Sequence, residues 1–179
     1  PDLEVFTDIN IPLEFLTESL KRQAVVNAGL TFKLNYQDSN GMQRFEFRYD
    51  NGIVDYINEL CPKDEKRIST TSFCEGEAVG RDREDMQDYK VKMSFAFCFN
   101  NSKNALEYYH NSSYLEHGGS PDKAVRNAFV YAIDQYLKQN NKYTKTESRI
   151  QFSDVEDSLI LVSNSFSTAT SYANQTKKA

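Results

Sequence analysis

The run Asp88–Asn100, DYKVKMSFAFCFN, decides the fold. Val91, Met93, Phe95, Phe97 and Phe99 fall on one side of it, with Lys92, Ser94, Ala96 and Cys98 between them. A period of two is the signature of a strand with one face buried. Upstream, residues 68–76 read as its hairpin partner across a mixed-charge turn, Arg81-Asp82-Arg83-Glu84-Asp85. Downstream, residues 101–120 read as a polar loop rich in Asn, Ser and Tyr that ends at Gly118-Gly119. Ser120 then caps the best helix of the chain, with Pro121 at its first position. Val125, Ala128, Phe129, Ala132, Ile133 and Tyr136 form its expected buried stripe. A basic linker follows (Lys138, Lys142, Lys145, Arg149), then a short helix over Asp154–Asp157 and a buried strand starting Leu159-Ile160-Leu161-Val162.

The first third repeats the pattern on a smaller scale. Residues 12–29 carry Leu13, Leu16, Leu20 and Ala24 at helical spacing, with Pro12 in the first turn and Gly29 beyond the end. Leu30, Phe32, Leu34 and Tyr36 then alternate, as do Phe45, Phe47 and Tyr49, across the turn Asp38-Ser39-Asn40-Gly41. Ile53–Leu60 is a short helix ended near Pro62. The order predicts an α+β fold: a mostly antiparallel sheet with helices on one face. A βαβ crossover is expected from 88–100 through the long helix to the strand at 159–166. The expected organisation is one domain over 1–179: a leading helix (1–29), hairpins (30–100), the crossover helix and strand (121–166) and a polar end segment (167–179).

A chain of 179 residues holds a sizeable core without a metal or disulfide staple. The net charge of −5 argues against a tight, static DNA reader, although it leaves room for a local basic patch. No apolar run approaches the ~20 residues of a membrane helix, and no signal segment opens the chain. Cys61, Cys74 and Cys98 are odd in number and without C-x-x-C spacing, so reduced thiols are expected and a zinc site is not. Pro1 is no initiator methionine, and the basic end before Ala179 does not close an element. Both point to a piece of a longer protein.

No motif of nucleophilic, metalloprotease, Walker or dinucleotide chemistry occurs. His110 and His117 lie in the polar loop and read as exposed. Asp154, Glu156 and Asp157 allow a metal site or, more simply, a charged helix start. Gly118-Gly119 allows a phosphate nest or a hinge. Tyr108, Tyr109 and Tyr114 allow base stacking or packing on their own domain. Gln175 and Lys177, two residues apart in an end segment, allow a grip on one phosphate, by an amide hydrogen bond and a point charge, or, on composition alone, a solvated basic tail.

Taken in order, several segments resemble one family. Lys21–Leu30 resembles its "LRELAFLN-G" helix end, and Phe45–Tyr56 with Ile57-Asn58 resembles "F-Y-GG-–FV-YLN". Phe97–Asn101 is similar to the "FTNNI" strand end, and Gly118-Gly119 with the helix at 121–139 to the "GGTH" loop and its long helix. Asp154–Leu159 resembles "DVREGL", and Gln175-Thr176-Lys177 matches the QTK loop. The family is the transducer, or second, domain of the ATPase subunit of bacterial type IIA DNA topoisomerases, as found in gyrase B and topoisomerase IV B. This sequence departs from it at Ser120-Pro121, where the family has Thr-His, and at Glu156, where it has Arg.

The resemblance implies a ribosomal-protein-type α+β domain with a left-handed βαβ crossover. It implies a nucleotide-binding GHKL domain before this segment and a TOPRIM cleavage domain after it, with ATP and Mg2+ held mainly in the former. It implies that Gln175 and Lys177 reach back to the γ-phosphate, with Lys177 stabilising charge in phosphoryl transfer. Lys138, Lys142, Lys145 and Arg149 become candidate transient DNA contacts. Implied partners are DNA, the topoisomerase A-type subunit and a second copy of the parent, in the bacterial cytoplasm at the nucleoid. A MutL-like or chaperone-type GHKL ATPase, or a stand-alone binding module, is the alternative.

Overall fold

The computed structural model describes residues 2–8, 10–63, 66–81 and 83–169. The chain divides into two compact units, Pro1–Gly52 and Ile53–Ala179.

The first unit holds helix α1 (Leu13–Val26) and a hairpin of β1 (Thr31–Asp38) and β2 (Gly41–Arg48). Alternation works here as expected: Phe32 pairs with Phe47 and Leu34 with Phe45, on the half-buried face. Gly29, at φ +79°, turns the chain out of α1 and donates its N–H to Tyr49 O at 2.9 Å.

The second unit begins with α2 (Ile53–Leu60), whose Ile53, Tyr56 and Ile57 are buried. Then come β3 (Ser72–Gly80), β4 (Tyr89–Phe99), β5 (Ala105–His110), β6 (Ser113–Tyr114), α3 (Ser120–Gln139), α4 (Ser153–Glu156) and β7 (Leu159–Ser167). The five strands lie in the order β3-β4-β7-β5-β6. All neighbours are antiparallel except β5 and β7, which run parallel with Tyr108 opposite Ser163.

The α+β class and the mostly antiparallel sheet stand. Three details differ. The expected loop at 101–120 contains β5 and β6, and β5 rather than β4 is the strand that α3 carries across to its parallel neighbour β7. The cause is Asn100, fully buried at the end of β4. Its Oδ1 accepts from Ser102 N, Ser102 Oγ and Lys103 N at 2.7–3.2 Å, so the chain reverses in a few residues instead of wandering. Two further strands, β5 and β6, therefore lie between Phe97–Asn101 and Gly118-Gly119.

Second, the helices do not share a face. The Phe97 ring meets Phe129 of α3 edge-on at 5.0 Å, while Cys98 lies beside Cys61, just past α2. Adjacent strand residues point to opposite faces, so α3 and α2 cover opposite sides. The α3 side holds the main core: Phe95, Phe97, Tyr108, Val125, Phe129, Leu159 and Leu161.

Third, α3 is capped by Gly119 at φ 94°, and Ser120 is its first helical residue with no side-chain cap. Its buried residues are Pro121, Val125, Phe129 and Asp134. Ala128 and Ala132 are exposed, as is Tyr136 at 60%. Twenty residues make a helix about 30 Å long, which outruns the apolar cluster and leaves its last turn in water.

Candidate functional site

Gln175 and Lys177 lie outside the described residues. Their launching point is well defined. Strand β7 sits between β4 and β5, and its end is held from both sides. Ser167 N donates to Asn111 Oδ1 at 3.0 Å, and Asn111 Nδ2 returns a bond to Ser167 O at 3.3 Å. On the other side Thr168 N donates to Lys90 O at 3.1 Å, and Lys90 N donates to Thr168 Oγ1 at 3.0 Å. Four bonds thus fix the backbone where the end segment departs. Lys177 follows Ser167 by ten residues, a reach of about 35 Å at most. Beside this exit a hollow of about 620 Å³ is lined by Val79, Lys90, Lys92, Asn111, Phe166 and Thr168.

The four basic candidates separate into two kinds. Lys138 Nζ and Arg149 Nε both reach Asp134 Oδ2, at 2.8 and 3.3 Å. Asp134 is 1% exposed, and its Oδ1 accepts from Tyr143 OH at 3.0 Å. The Lys138 hydrogen bond, then Tyr143 and the Arg149 charge, hold the Asp134 carboxyl below its usual range against the opposing effect of burial. Lys142 and Lys145 are exposed. Asp134 is a buried ion-pair partner that the sequence conceals, because an acid inside an apolar helical stripe reads as noise. Its i, i+4 spacing to Lys138 is the one available signal.

The other candidates resolve into structure. Gly118 at φ +68° makes the turn into α3, and a Cβ there would sit 2.7 Å from Asp122 Cβ. Glu156 grips Arg126 with both oxygens at 3.0 and 3.2 Å. Arg126 also bonds Asp122 at 2.7 Å and lies 4.4 Å over the Phe152 ring. Asp154 Oδ2 accepts from Gln151 N at 2.8 Å. These acids cap and pair rather than converge, and among the described residues no group of three or more His, Cys, Asp or Glu is arranged for a metal. Tyr108 and Tyr109 are buried in β5, and Tyr109 meets Tyr114 edge-on at 5.5 Å, which removes both from base stacking. His110 is buried rather than exposed, because it belongs to β5; His117 is exposed as expected.

The family model described as DNA gyrase B matches residues 52–179. The chain belongs to the DNA gyrase B family. The match starts at the boundary between the two compact units. This sets aside the MutL-like and chaperone-type alternative. Over 183 residues the chain is 25% identical to the DNA gyrase B-subunit of Mycoplasma pneumoniae, covering 99% of this chain and 28% of that protein. It is 26% identical to the DNA topoisomerase 4 B-subunit of Bacillus subtilis, over 89% of this chain and 22% of that protein. The chain thus spans about a quarter of the length of these relatives. The B-subunit of the DNA gyrase from Myxococcus xanthus shares the fold, with a TM-score of 0.73 at 15% identity over 99% of this chain and 47% of that one. No described helix is long and apolar enough to cross a membrane.

Proposed function

We propose that this gyrase B-family chain is the transducer segment of a type IIA topoisomerase ATPase subunit. It couples ATP binding and hydrolysis in a preceding nucleotide-binding domain to movement of the DNA gate during strand passage. The observation that carries this reading is the four-bond anchoring of β7 at Ser167 and Thr168. A lysine that senses a γ-phosphate in another domain transmits force only if its segment leaves a rigid body. Here the segment leaves the inside of a five-stranded sheet. Lys177 supplies the charge and Gln175 the amide donor while the triphosphate is intact. Loss of the γ-phosphate releases the sheet to reorient.

In this reading the chain acts within an ATP-dependent topoisomerase and is inactive alone. ATP and Mg2+ sit mainly in the preceding domain. DNA passes transiently against the basic segment. The A-type subunit and a second copy of the parent complete the enzyme, in the bacterial cytoplasm.

The test is steady-state ATP hydrolysis, with analogue-induced dimerisation, by the parent protein carrying Lys177→Ala. Loss of turnover by about 10²-fold or more with the fold intact, the scale for removing one transition-state stabiliser, is the expected result. Unchanged turnover would sink the reading and favour a binding module whose end segment is only solvated.

A further inference from the structure

Lys138 and Arg149 bracket the basic segment, and both are held by one buried carboxylate oxygen on α3, Asp134 Oδ2. Their own side chains are 56% and 61% exposed, whereas that of Asp134 is 1% exposed. A carboxylate shielded from water is held by its counter-charges, and drawing them away forfeits that pairing. The two cations therefore cannot be given fully to an outside anion without a cost that the protein feels. Tyr143 tightens the arrangement: its OH donates to Asp134 Oδ1 and accepts Ile150 N at 3.1 Å, tying both ends of the segment to α3. Between the bracketing cations, Lys142 and Lys145 stand exposed.

We infer that Asp134 is a positioning residue that restrains Lys138 and Arg149, so that the segment 138–149 grips a DNA phosphate backbone weakly and releases it. The inference rests on the proposed DNA contact of this segment. Lys142 and Lys145 make the first contacts. Lys138 and Arg149 add to them only as far as they loosen from Asp134. A domain that meets a duplex in passing needs this restraint, since every phosphate fully neutralised strengthens binding and slows departure.

The test measures equilibrium binding of a short DNA duplex by the full-length parent protein between about 50 and 200 mM potassium chloride. Asp134→Asn keeps an acceptor for Tyr143 OH but removes the charge. Each cation set free adds about 0.9 to the steepness of log K against log salt, which near 0.1 M is roughly tenfold in affinity. The expected result is tighter, more salt-sensitive binding by Asp134→Asn, by about one to two such steps, with weaker binding by Lys142→Ala and Lys145→Ala. A variant that only damaged the fold would bind more weakly, not more steeply. Unchanged or weaker binding by Asp134→Asn, beside a clear loss in Lys142→Ala and Lys145→Ala, overturns the restraint and leaves the DNA contact standing. No effect of any of the three overturns the contact, and the restraint with it. Lys138→Ala gives a second check: a restrained lysine costs less DNA affinity when removed than Lys142, and equal losses overturn the inference.

Discussion

His110 Nδ1 lies 2.8 Å from Ser165 Oγ across the parallel pair of β5 and β7. The Ser165 hydroxyl donates to Tyr109 O at 3.0 Å, so the imidazole carries its proton on Nδ1 and donates to the serine. Burial lowers the His110 pKa, and the neutral ring is the folded form. The unfolded chain then binds the extra proton first, so stability is full above about pH 6.5, the ordinary imidazole value, and is lost as pH falls from there toward the depressed folded value. Thermal melts between about pH 5 and 8 are expected to show this slope in the native protein and a shallower one in His110→Asn. Parallel slopes would assign the loss to other groups.

Phe129 is the residue of α3 that meets two rings of β4, Phe97 at 5.0 Å and Phe95 at 6.3 Å. Phe129→Ala removes both and leaves a cavity in the main core. A loss of about 3–5 kcal/mol is expected, read as a lower urea midpoint with an unchanged slope. A loss below about 1 kcal/mol would mean that α3 does not seal the sheet as described.

Asn100 and Asn101 are neighbours with opposite roles. Asn100→Ala strips three donors of their acceptor and Cys61 Sγ of a donor at 3.1 Å. It is expected to cost about 1–3 kcal/mol or more. The exposed Asn101, changed to Ala, is expected to stay within about 0.5 kcal/mol. Chemical denaturation of the two variants side by side decides this, and equal effects would refute the turn.

Gly118 and Gly76 make a similar pair. Alanine at 118 meets Asp122 at 2.7 Å in a left-handed conformation, and is expected to destabilise by about 1–3 kcal/mol. Alanine at 76 meets nothing within 4 Å and carries no positive φ, so it is expected to be neutral or slightly stabilising. A harmless Gly118→Ala would contradict the tight entry into α3.

Thiol labelling reads the two faces directly. Cys74 is exposed on β3, whereas Cys61 and Cys98 are buried. Burial and the neighbouring Cys61 push the Cys98 thiol up to about 11, which keeps it protonated and inert at neutral pH. One fast equivalent of an aromatic disulfide reagent is expected in the native protein, with the other two released by denaturant. Three fast equivalents would mean that α2 does not cover its side of the sheet.

Local pattern carried much of this molecule. The alternation over 88–100 located β4, the Leu30–Tyr49 pattern located the first hairpin, and the Pro121 start located α3. The polar run 101–117 hid β5, because Glu107 and His110 find partners that are distant in sequence. Tyr56, fifty-one residues away, donates to Glu107 at 3.0 Å, and Ser165, fifty-five away, takes His110. Polar residues look like a loop until such partners exist. Asp134 was hidden for the same reason, since its meaning depends on Arg149 and Tyr143 folding back onto it.

The sequence by itself determined the α+β class, the family and the type of every element outside 101–120, because periodicity and an ordered set of motifs are properties of neighbouring residues. Tertiary structure alone decided that β5 is the parallel partner of β7, that α2 and α3 take opposite faces, and that two of four basic residues are bound to a buried acid. Each of these depends on burial and on pairing between residues far apart in the chain, and solvent exclusion is a property of the assembled fold rather than of any local run.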